Sequence, residues 1–439
     1  MIKTISAPTV IDLGFKPGYY HIIKETAVEV IEPTNTAQWT PDSWRSRPVA
    51  QAIDYDDQLA LEQTCSQLRK LPPLVLPYQI EGARQQLYQV AKGNAFIIQG
   101  GDCAESFYDV QHDIIRSKVT LLAYQSQILG AALGKSIIQI GRIAGQYAKP
   151  RSQMFERLPT GETVPAFRGH NVNSENPESR EPDPQRLQLG YFYAAATLNT
   201  ITQVEKEPSQ GARNTKAPPT LYTSHEILHL PYESALTTGV YNTSATFLWL
   251  GERTRQLDGA HVEYARGLRN PIGVKIGPTA TPAAVVALLD TLSQNRDHYG
   301  KISLITRLGW GKVHSTLPQI IRAVQLSGHV PIWICDPCHA NTVSTTCGRK
   351  TGIVNAMLGE LKETYVAHRR LGSHLGGIHL EQTGENVTEC FDEVHVVEPA
   401  DLGRSYRSLC DPRLSADQAI DLVKGFTAFV KEWCPESGF

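Results

Sequence analysis

Eight short apolar runs, separated by longer amphipathic segments, constrain the fold of this 439-residue chain more than any other feature. Runs such as residues 136–140 and 331–335 are rich in isoleucine. Continuous runs of this kind are typical of strands that are buried on both faces of a helix-covered parallel sheet. We therefore predict strands at residues 95–99, 136–140, 220–224, 247–250, 271–276, 302–306, 331–335 and 376–380.

Helical periodicity dominates the segments between these runs. Helices are predicted at residues 111–132, 183–203, 254–267, 281–294, 315–327, 351–370 and 415–433. Eight strand–helix units predict an α/β fold over residues 76–439, a closed (β/α)8 TIM barrel. A doubly wound open sheet is the alternative, but no Gly-x-Gly-x-x-Gly motif follows an early strand to support it.

The first 75 residues show weak periodicity and are predicted to form an N-terminal extension with a short helix at residues 55–71. Trp39 and Trp44 in this arm are candidates for an oligomer contact, because aromatic side chains anchor interfaces. The alternative is that they simply cover the barrel. Two long loops, residues 153–182 and 204–219, are predicted to decorate the catalytic face or to form flexible surface.

The charge balance and the apolar content exclude several classes of protein. A formal net charge of −2 gives no electrostatic basis for nucleic acid or an anionic membrane as the main partner. No apolar run approaches the ~20 residues of a membrane span, and the N-terminus lacks the pattern of a secretory signal. Eight cysteines in a chain of this length do not form a disulfide scaffold, so we expect a cytoplasmic protein.

Polar residues follow the predicted strands at their carboxyl ends, which share one face of a barrel and carry its active site. The first strand leads into Asp102 and Cys103, and a thiol in a glycine-rich turn indicates a metal, a nucleophile or a disulfide. An imidazole and two carboxylates follow later in the chain, at His339, Glu381 and Asp411. Mixed S, N and O ligands suit a divalent ion such as Mn, Fe, Co or Zn. The alternative is a buried thiol and a satisfied core histidine.

A second set of residues at these strand ends is cationic. Its members are Arg142, Lys149, Arg151, Arg253, Lys275 and Arg307. Converging cations repel one another unless anions lie between them, and arginine suits phosphate and carboxylate groups. Any one of the arginines alone could form a surface salt bridge, but the six cationic residues together predict a site for two phosphorylated or anionic substrates. Lys275 stands out because an unpaired lysine within an apolar strand is costly.

Cys335 and Cys338 form a C-x-x-C motif, which raises a zinc or redox hypothesis. No second C-x-x-C follows at the spacing of a zinc ribbon. Because Cys335 lies within an apolar strand, we interpret the pair as structural thiols.

Taken together, these motifs resemble the class II 3-deoxy-D-arabino-heptulosonate 7-phosphate (DAHP) synthases. The resemblance rests on segments that occur in order between about residue 95 and residue 430. These segments are residues 99–107, 141–152, 223–226, 249–261, 304–307, 335–342, 376–390 and 410–414. No single segment is decisive, but the combination is specific.

The resemblance implies a (β/α)8 barrel that condenses phosphoenolpyruvate with the aldehyde of erythrose 4-phosphate and releases phosphate, the entry step of the shikimate pathway. It implies a divalent metal, Mn²⁺, Co²⁺ or similar, on Cys103, His339, Glu381 and Asp411. The phosphoenolpyruvate contacts carried over are Arg142, Glu252, Arg253, Lys275 and Arg307. The erythrose 4-phosphate contacts carried over are Lys149, Arg151 and Ser152.

The same resemblance assigns catalytic roles and an assembly state. Lys275, His339 and Cys103 are the expected catalytic residues. Lys275 is a candidate proton relay, with His339 or a bound water as the competitor. The family's N-terminal extension often joins subunits, so we expect a homo-oligomer.

Some positions depart from the family pattern. His170 stands where the family carries an acid in a loop near the substrates, and Cys338 stands where methionine is common. The unusual loops put feedback inhibition by aromatic amino acids in doubt, and a deregulated enzyme would suit secondary metabolism, for example phenazine supply. Because Cys410 adjoins Asp411, we also expect Cys410 near Cys103, where metal-free protein could form a disulfide.

Two alternative functions follow from the same residues. One is an amino-DAHP synthase that uses an imino sugar phosphate, in which His170 could matter. The other is a non-catalytic barrel that binds phosphorylated metabolites. Such a barrel would lack a working metal site, whereas all four ligand types are present in this sequence.

Overall fold

The computed structural model describes residues 39–158, 160–207, 221–293, 299–345, 348–394, 396 and 401–433. Eight parallel strands close into one barrel, and each strand pairs with its neighbours in the sequence. The strands are β1 (Ala95–Gly101), β2 (Ser136–Arg142), β3 (Tyr222–Glu226), β4 (Phe247–Leu250), β5 (Ile272–Ile276), β6 (Ile302–Thr306), β7 (Ile332–Cys335) and β8 (Gly377–Glu381). The predicted TIM barrel is confirmed.

Helices cover this barrel and connect its strands. Their bounds are α1 (Gln58–Leu68), α2 (Pro77–Ala91), α3 (His112–Leu133), α4 (Gln185–Lys206), α5 (Leu230–Ala235), α6 (Ala260–Arg266), α7 (Pro282–Leu292), α8 (Val313–Ser327), α9 (Val354–Arg370) and α10 (Ala416–Glu432). Helix α6 begins six residues later than the predicted residue 254, because Thr254 is used in a turn in which its hydroxyl accepts from the Gly251 amide at 3.0 Å.

Side chains of α2 pack against the interior of the barrel. Leu87 and Val90 belong to one buried cluster with Ile97, Ile305 and Ile334 from three of the strands. A second cluster lies between the strands and the helices α3, α9 and α10. The strands are therefore apolar on both faces, which is the physical reason for their continuous hydrophobic runs.

The strand register aligns the last residues of three neighbouring strands. Gly101 in β1 pairs with Arg142 in β2 on one side and with Glu381 in β8 on the other. Cys103 follows Gly101 by two residues. A thiol, a guanidinium and a carboxylate from distant parts of the sequence thus meet at one rim of the barrel.

Short elements decorate the chain outside the barrel strands. The predicted long loop 153–182 contains a hairpin of Phe155–Arg157 and Thr163–Pro165. The segment Lys350–Ile353 is a strand that pairs with Thr342–Ser344, so α9 begins after it and not at the predicted residue 351. Two short strands, Thr237–Thr238 and Tyr241–Asn242, pair with each other, and Cys390–Phe391 is a further strand. Short 3-10 helices lie at Ser43–Ser46, Phe107–Asp109, Pro177–Ser179 and Asp401–Gly403.

The described residues from Thr40 to Trp433 form one compact unit. Residues 1–38 of the predicted arm and most of the predicted loop 204–219 lie outside the described residues, so the division at residue 75 stays a prediction. Trp44 is buried. Among the described residues, none of the helices has the length and apolar character that crossing a membrane requires.

Candidate active site

A cavity of about 550 Å³ opens at the carboxyl ends of the strands. Most of the predicted site residues line it. These are Arg142, Lys149, Arg151, Ser152, Glu252, Arg253, Lys275, Arg307, His339 and Asp411. The other two, Cys103 and Glu381, are buried in contact with these residues. The topology therefore brings all twelve predicted residues together, although they span more than three hundred positions of the sequence.

Three anionic or thiol donors converge at this rim. One donor atom each from Cys103, Glu381 and Asp411 lies within 4.8 Å of the others. The imidazole Nε2 of His339 lies 2.9 Å from Glu381 Oε1, and that oxygen is buried without a properly oriented hydrogen bond. Sulfur, nitrogen and oxygen donors that converge around an unsatisfied carboxylate oxygen fit a divalent transition metal.

Three lysine or arginine charges lie among these donors. Arg142 Nη2 is 3.2 Å from Glu381 Oε1, and Lys350 Nζ is 2.8 Å from Asp411 Oδ1. The third charge belongs to Lys149. Its Nζ atom lies 2.5 Å from Cys103 Sγ and 3.2 Å from Asp411 Oδ2. Burial raises the pKa of Glu381, but His339 and Lys149 outweigh it and hold that pKa at about 2. The pKa of Cys103 is raised well above its usual range by burial, by a hydrogen bond with Cys410 and by the Glu381 charge. The two carboxylates thus supply the negative charge that attracts a cation, while the thiol is in its neutral form.

Asp336, at the end of β7, orients the histidine of this set. Its Oδ2 atom lies 2.7 Å from His339 Nδ1, which leaves the Nε2 atom of the ring toward Glu381. Metal-binding histidines are commonly fixed in this way by a carboxylate on their other nitrogen. No role was predicted for Asp336 from the sequence, although its place directly after a predicted buried strand was the available signal.

Arg142 and Lys275 form the inner cationic group of the cavity. Their charged ends lie 5.1 and 5.9 Å from the ring centre of Trp249, within the range of cation–π attraction. His379 lies between them: its Nε2 atom is 2.7 Å from Arg142 Nη1 and 2.9 Å from Lys275 Nζ. Gln99 Oε1 lies 2.8 Å from His379 Nδ1. Because an amide oxygen only accepts, the proton of this neutral imidazole sits on Nδ1 and Nε2 accepts from both cations.

Two features of this inner group bear on anion binding, namely the pKa of Lys275 and the hydrogen bonds of Arg307. Burial and then Arg142 lower the pKa of Lys275 to about 8, although Asp336 at 2.5 Å opposes the shift. Arg307 donates from Nη2 to the His339 carbonyl at 3.3 Å, and its buried Nε has no partner among the described residues. A bound anion would satisfy that Nε atom, and it would also offset the repulsion between the cations.

A second cationic group lies on the outer side of the cavity, in the loops after β2 and β4. Arg253 donates to Ser152 Oγ at 2.8 Å, and Arg151 lies 3.9 Å from Cys410 Sγ. Glu252 differs from the expectation of a free substrate contact. Its two carboxylate oxygens accept from Arg255 and from the Gly277 amide, each at 2.7 Å, so it holds the neighbouring loop.

Glu226, at the end of β3, is a lining residue for which no role was predicted from the sequence. It lines the cavity, and its Oε1 atom is buried without a hydrogen bond. Burial raises its pKa, although Lys149 and Lys275 oppose the shift. A carboxyl group with this environment in a polar cavity is a candidate for proton transfer.

A buried ionic network, here named the Arg413 network, supports the two loops that carry Cys103 and Asp411. Arg413 donates to Asp102 Oδ1 and to Glu389 Oε1, both at 2.7 Å, and Lys118 lies 2.5 Å from Asp102 Oδ2. All four side chains are at most 6% exposed. Asp102 precedes Cys103 directly, so this network fixes the loop that presents the thiol.

Three other predictions from the sequence concern the C-x-x-C cysteines, His170 and Cys410. Cys335 donates to Thr364 at 3.6 Å, while Cys338 accepts from the Glu381 amide at 3.3 Å, so the two thiols have separate partners as structural cysteines do. His170 does not line the cavity; its Nδ1 accepts from the Phe107 amide at 3.0 Å. Cys410 lines the cavity beside Cys103 and both thiols are free, so their oxidation stays a prediction.

Comparison with known proteins gives a family match over most of the chain. A family model described as the Class-II DAHP synthetase family matches residues 39–218 and 204–427. A phospho-2-dehydro-3-deoxyheptonate aldolase of Neurospora crassa is 42% identical over 452 residues, covering 89% of this chain and 94% of that protein. Proteins of the same name from Streptomyces coelicolor and, with the suffix AroG, from Mycolicibacterium smegmatis are 38% and 36% identical. Each covers 87% of this chain, with 95% and 92% of their own lengths matched.

Proposed function

Since this chain belongs to the class-II DAHP synthetase family, we propose that it condenses phosphoenolpyruvate with erythrose 4-phosphate and water to give DAHP and phosphate, the first step of the shikimate pathway. The proposal rests on one observation: two cationic groups and one set of metal donors surround a single cavity. One phosphorylated substrate fits each cationic group, and the donors lie beside both.

We assign the metal to Cys103, His339, Glu381 and Asp411. A divalent ion such as Mn²⁺ or Co²⁺ would supply a Lewis acid for the aldehyde oxygen and for the charge that develops on it. The protein contributes the geometry, because Asp336 fixes the His339 ring and the Arg413 network fixes the Cys103 loop. The donors also explain why Lys149, as the nearest cation, lies in contact with Cys103.

The inner cationic group is the proposed site of phosphoenolpyruvate, whose phosphate and carboxylate are both anionic. Arg142 and Arg307 would bind these groups, and Lys275 would do so in its charged form. His379 keeps the two neighbouring cations oriented, since its Nε2 accepts from both. With a pKa of about 8, Lys275 can also give or take a proton near neutral pH, as expected of a proton relay.

The outer group is the proposed site of the sugar phosphate. Arg151 and Ser152 lie in one loop. Arg253 donates to Ser152 from the next loop and stays a predicted phosphoenolpyruvate contact. Lys149 begins the same loop and would reach the phosphate once a metal ion takes over its place beside Glu381 and Asp411. Holding both substrates in one cavity turns a bimolecular condensation into a positioned one, which is a large source of catalytic rate.

The experiment is phosphate release from phosphoenolpyruvate in the presence of erythrose 4-phosphate, with each substrate omitted in turn. Release that requires both substrates supports the proposal. Release with an imino sugar phosphate instead would identify an amino-DAHP synthase, and binding without release would identify a non-catalytic barrel. Three further points stay predictions: the supply of aromatic amino acids or of a product such as a phenazine, assembly as a homo-oligomer, and a cytoplasmic location.

A further inference from the structure

The chain segment before α1 runs close to the sugar-phosphate loop, residues 149–152. This segment is fixed at two points. The Ala260 amide donates to the Pro48 carbonyl at 2.9 Å, and the buried Tyr55 hydroxyl lies 2.9 Å from His229 Nε2. Between these points Gln51 adopts a φ of +57°, a left-handed conformation that is unfavourable for a residue with a side chain. Such a conformation persists only when the surroundings impose it.

Arg168 holds the backbone at this position. Its Nη2 atom donates to the Gln51 carbonyl and its Nη1 atom to the Ala52 carbonyl, each at 2.7 Å. Arg168 is only 4% exposed, and its own carbonyl accepts from the Lys149 amide at 2.8 Å. One buried residue thus connects the N-terminal segment to the first residue of the sugar-phosphate loop.

The side chain of Gln51 makes a second connection to the same loop. Its Oε1 atom accepts from the Arg151 backbone amide at 2.8 Å. The loop is therefore held at Lys149 through Arg168 and at Arg151 through Gln51. Both bonds are to the loop backbone, so neither of them uses the charged end of Lys149 or of Arg151.

We propose that Gln51 is a positioning residue for the sugar-phosphate loop, and that its strained backbone directs the side-chain amide to Arg151. The inference rests on the proposed function of that loop as the erythrose 4-phosphate site. A loop ordered in advance loses less conformational entropy when its ligand binds, and affinity rises accordingly. Lys275, by contrast, is held by Asp336 and His379 from the barrel strands, so phosphoenolpyruvate binding does not depend on Gln51.

The test compares Gln51→Ala with Gln58→Ala by steady-state kinetics. Gln58 is an exposed glutamine at the first position of α1, and its side chain donates to the Tyr55 carbonyl at 2.9 Å. Losing one neutral hydrogen bond predicts a rise of about three- to tenfold in KM for erythrose 4-phosphate in Gln51→Ala. KM for phosphoenolpyruvate and kcat stay at the wild-type values, and Gln58→Ala resembles wild type throughout.

A second variant, Gln51→Gly, separates the lost contact from the backbone strain. Glycine accepts φ +57° without penalty but lacks the amide, so we expect the same rise in KM with a thermal midpoint at or above that of Gln51→Ala. An unchanged KM for erythrose 4-phosphate in both variants, or an equal rise in KM for both substrates, overturns the inference. Absence of turnover in the wild-type enzyme would instead contradict the proposed function.

Discussion

Replacing Arg413 by methionine tests whether the Arg413 network supports the metal donors. The substitution removes the guanidinium hydrogen bonds to Asp102 at 2.7 Å and to Glu389 at 2.7 and 3.0 Å. Removing one partner of a buried ion pair costs about 3–5 kcal/mol. Asp102 keeps Lys118, and Glu389 keeps backbone amides such as that of Ser408 at 2.8 Å, so the lower end of that range applies.

This cost converts to a measurable change in thermal stability. With an unfolding entropy of about 2.1 cal/mol/K per residue, the 439-residue chain loses about 3–4 °C in Tm for ~3 kcal/mol. Because the network fixes the Cys103 loop, the Kd for Mn²⁺ should also rise, by about tenfold. Differential scanning calorimetry and competition with a metal-binding dye measure the two effects.

Arg407→Met is the matched control, because Arg407 lies in the same loop and pairs with Glu385 while its side chain is 51% exposed. Exposed ion pairs contribute little, so this variant should keep the wild-type Tm and metal affinity. If Arg413→Met and Arg407→Met behave alike in both assays, the Arg413 network does not have the supporting role inferred from its burial.

Three further predictions concern the inner part of the site. Asp336→Asn should weaken Mn²⁺ binding by about 10- to 100-fold, because the carboxylate that orients His339 is lost; an unchanged Kd in a metal titration would contradict this. Lys275→Ala should lower kcat by about 10²–10⁴-fold, as for other general acid–base residues. Replacing the exposed Lys312 by alanine should leave kcat unchanged. Equal activity of the two variants would exclude the proton relay. Because burial and Arg142 lower the pKa of Lys275 to about 8, kcat/KM for phosphoenolpyruvate should fall as pH rises through that value, when the ammonium charge is lost. Lys275→Arg should move this fall to higher pH, and a wild-type profile without it would refute the assignment.

The fold was predictable from the sequence because the barrel strands are buried on both faces. Continuous apolar runs located all eight strands to within a few residues, and the carboxyl-end rule placed the polar residues on one rim. Helix starts were harder to predict. At α6, the turn through Thr254 replaces the first helical residues, and helical periodicity does not reveal a side-chain cap of that kind.

The sequence predicted which residues cluster at this rim, but it did not predict the contacts among them. Long-range pairs such as His379 with Gln99, or Gln51 with Arg151, follow from barrel closure and leave no local pattern in the chain. The carboxylate of Glu252 illustrates the same limit, because only the three-dimensional structure shows that the Gly277 amide already uses one of its oxygens.

The most direct test of the central claim is metal-dependent turnover. The purified enzyme is treated with a chelator, and phosphoenolpyruvate consumption in the presence of erythrose 4-phosphate is followed while Mn²⁺ is added back. We expect no consumption in the metal-free enzyme and full recovery at a stoichiometric amount of ion, with Asp411→Asn recovering only at much higher concentration. Consumption that persists without metal, or that no divalent ion restores, would contradict the assignment of Cys103, His339, Glu381 and Asp411 as its ligands.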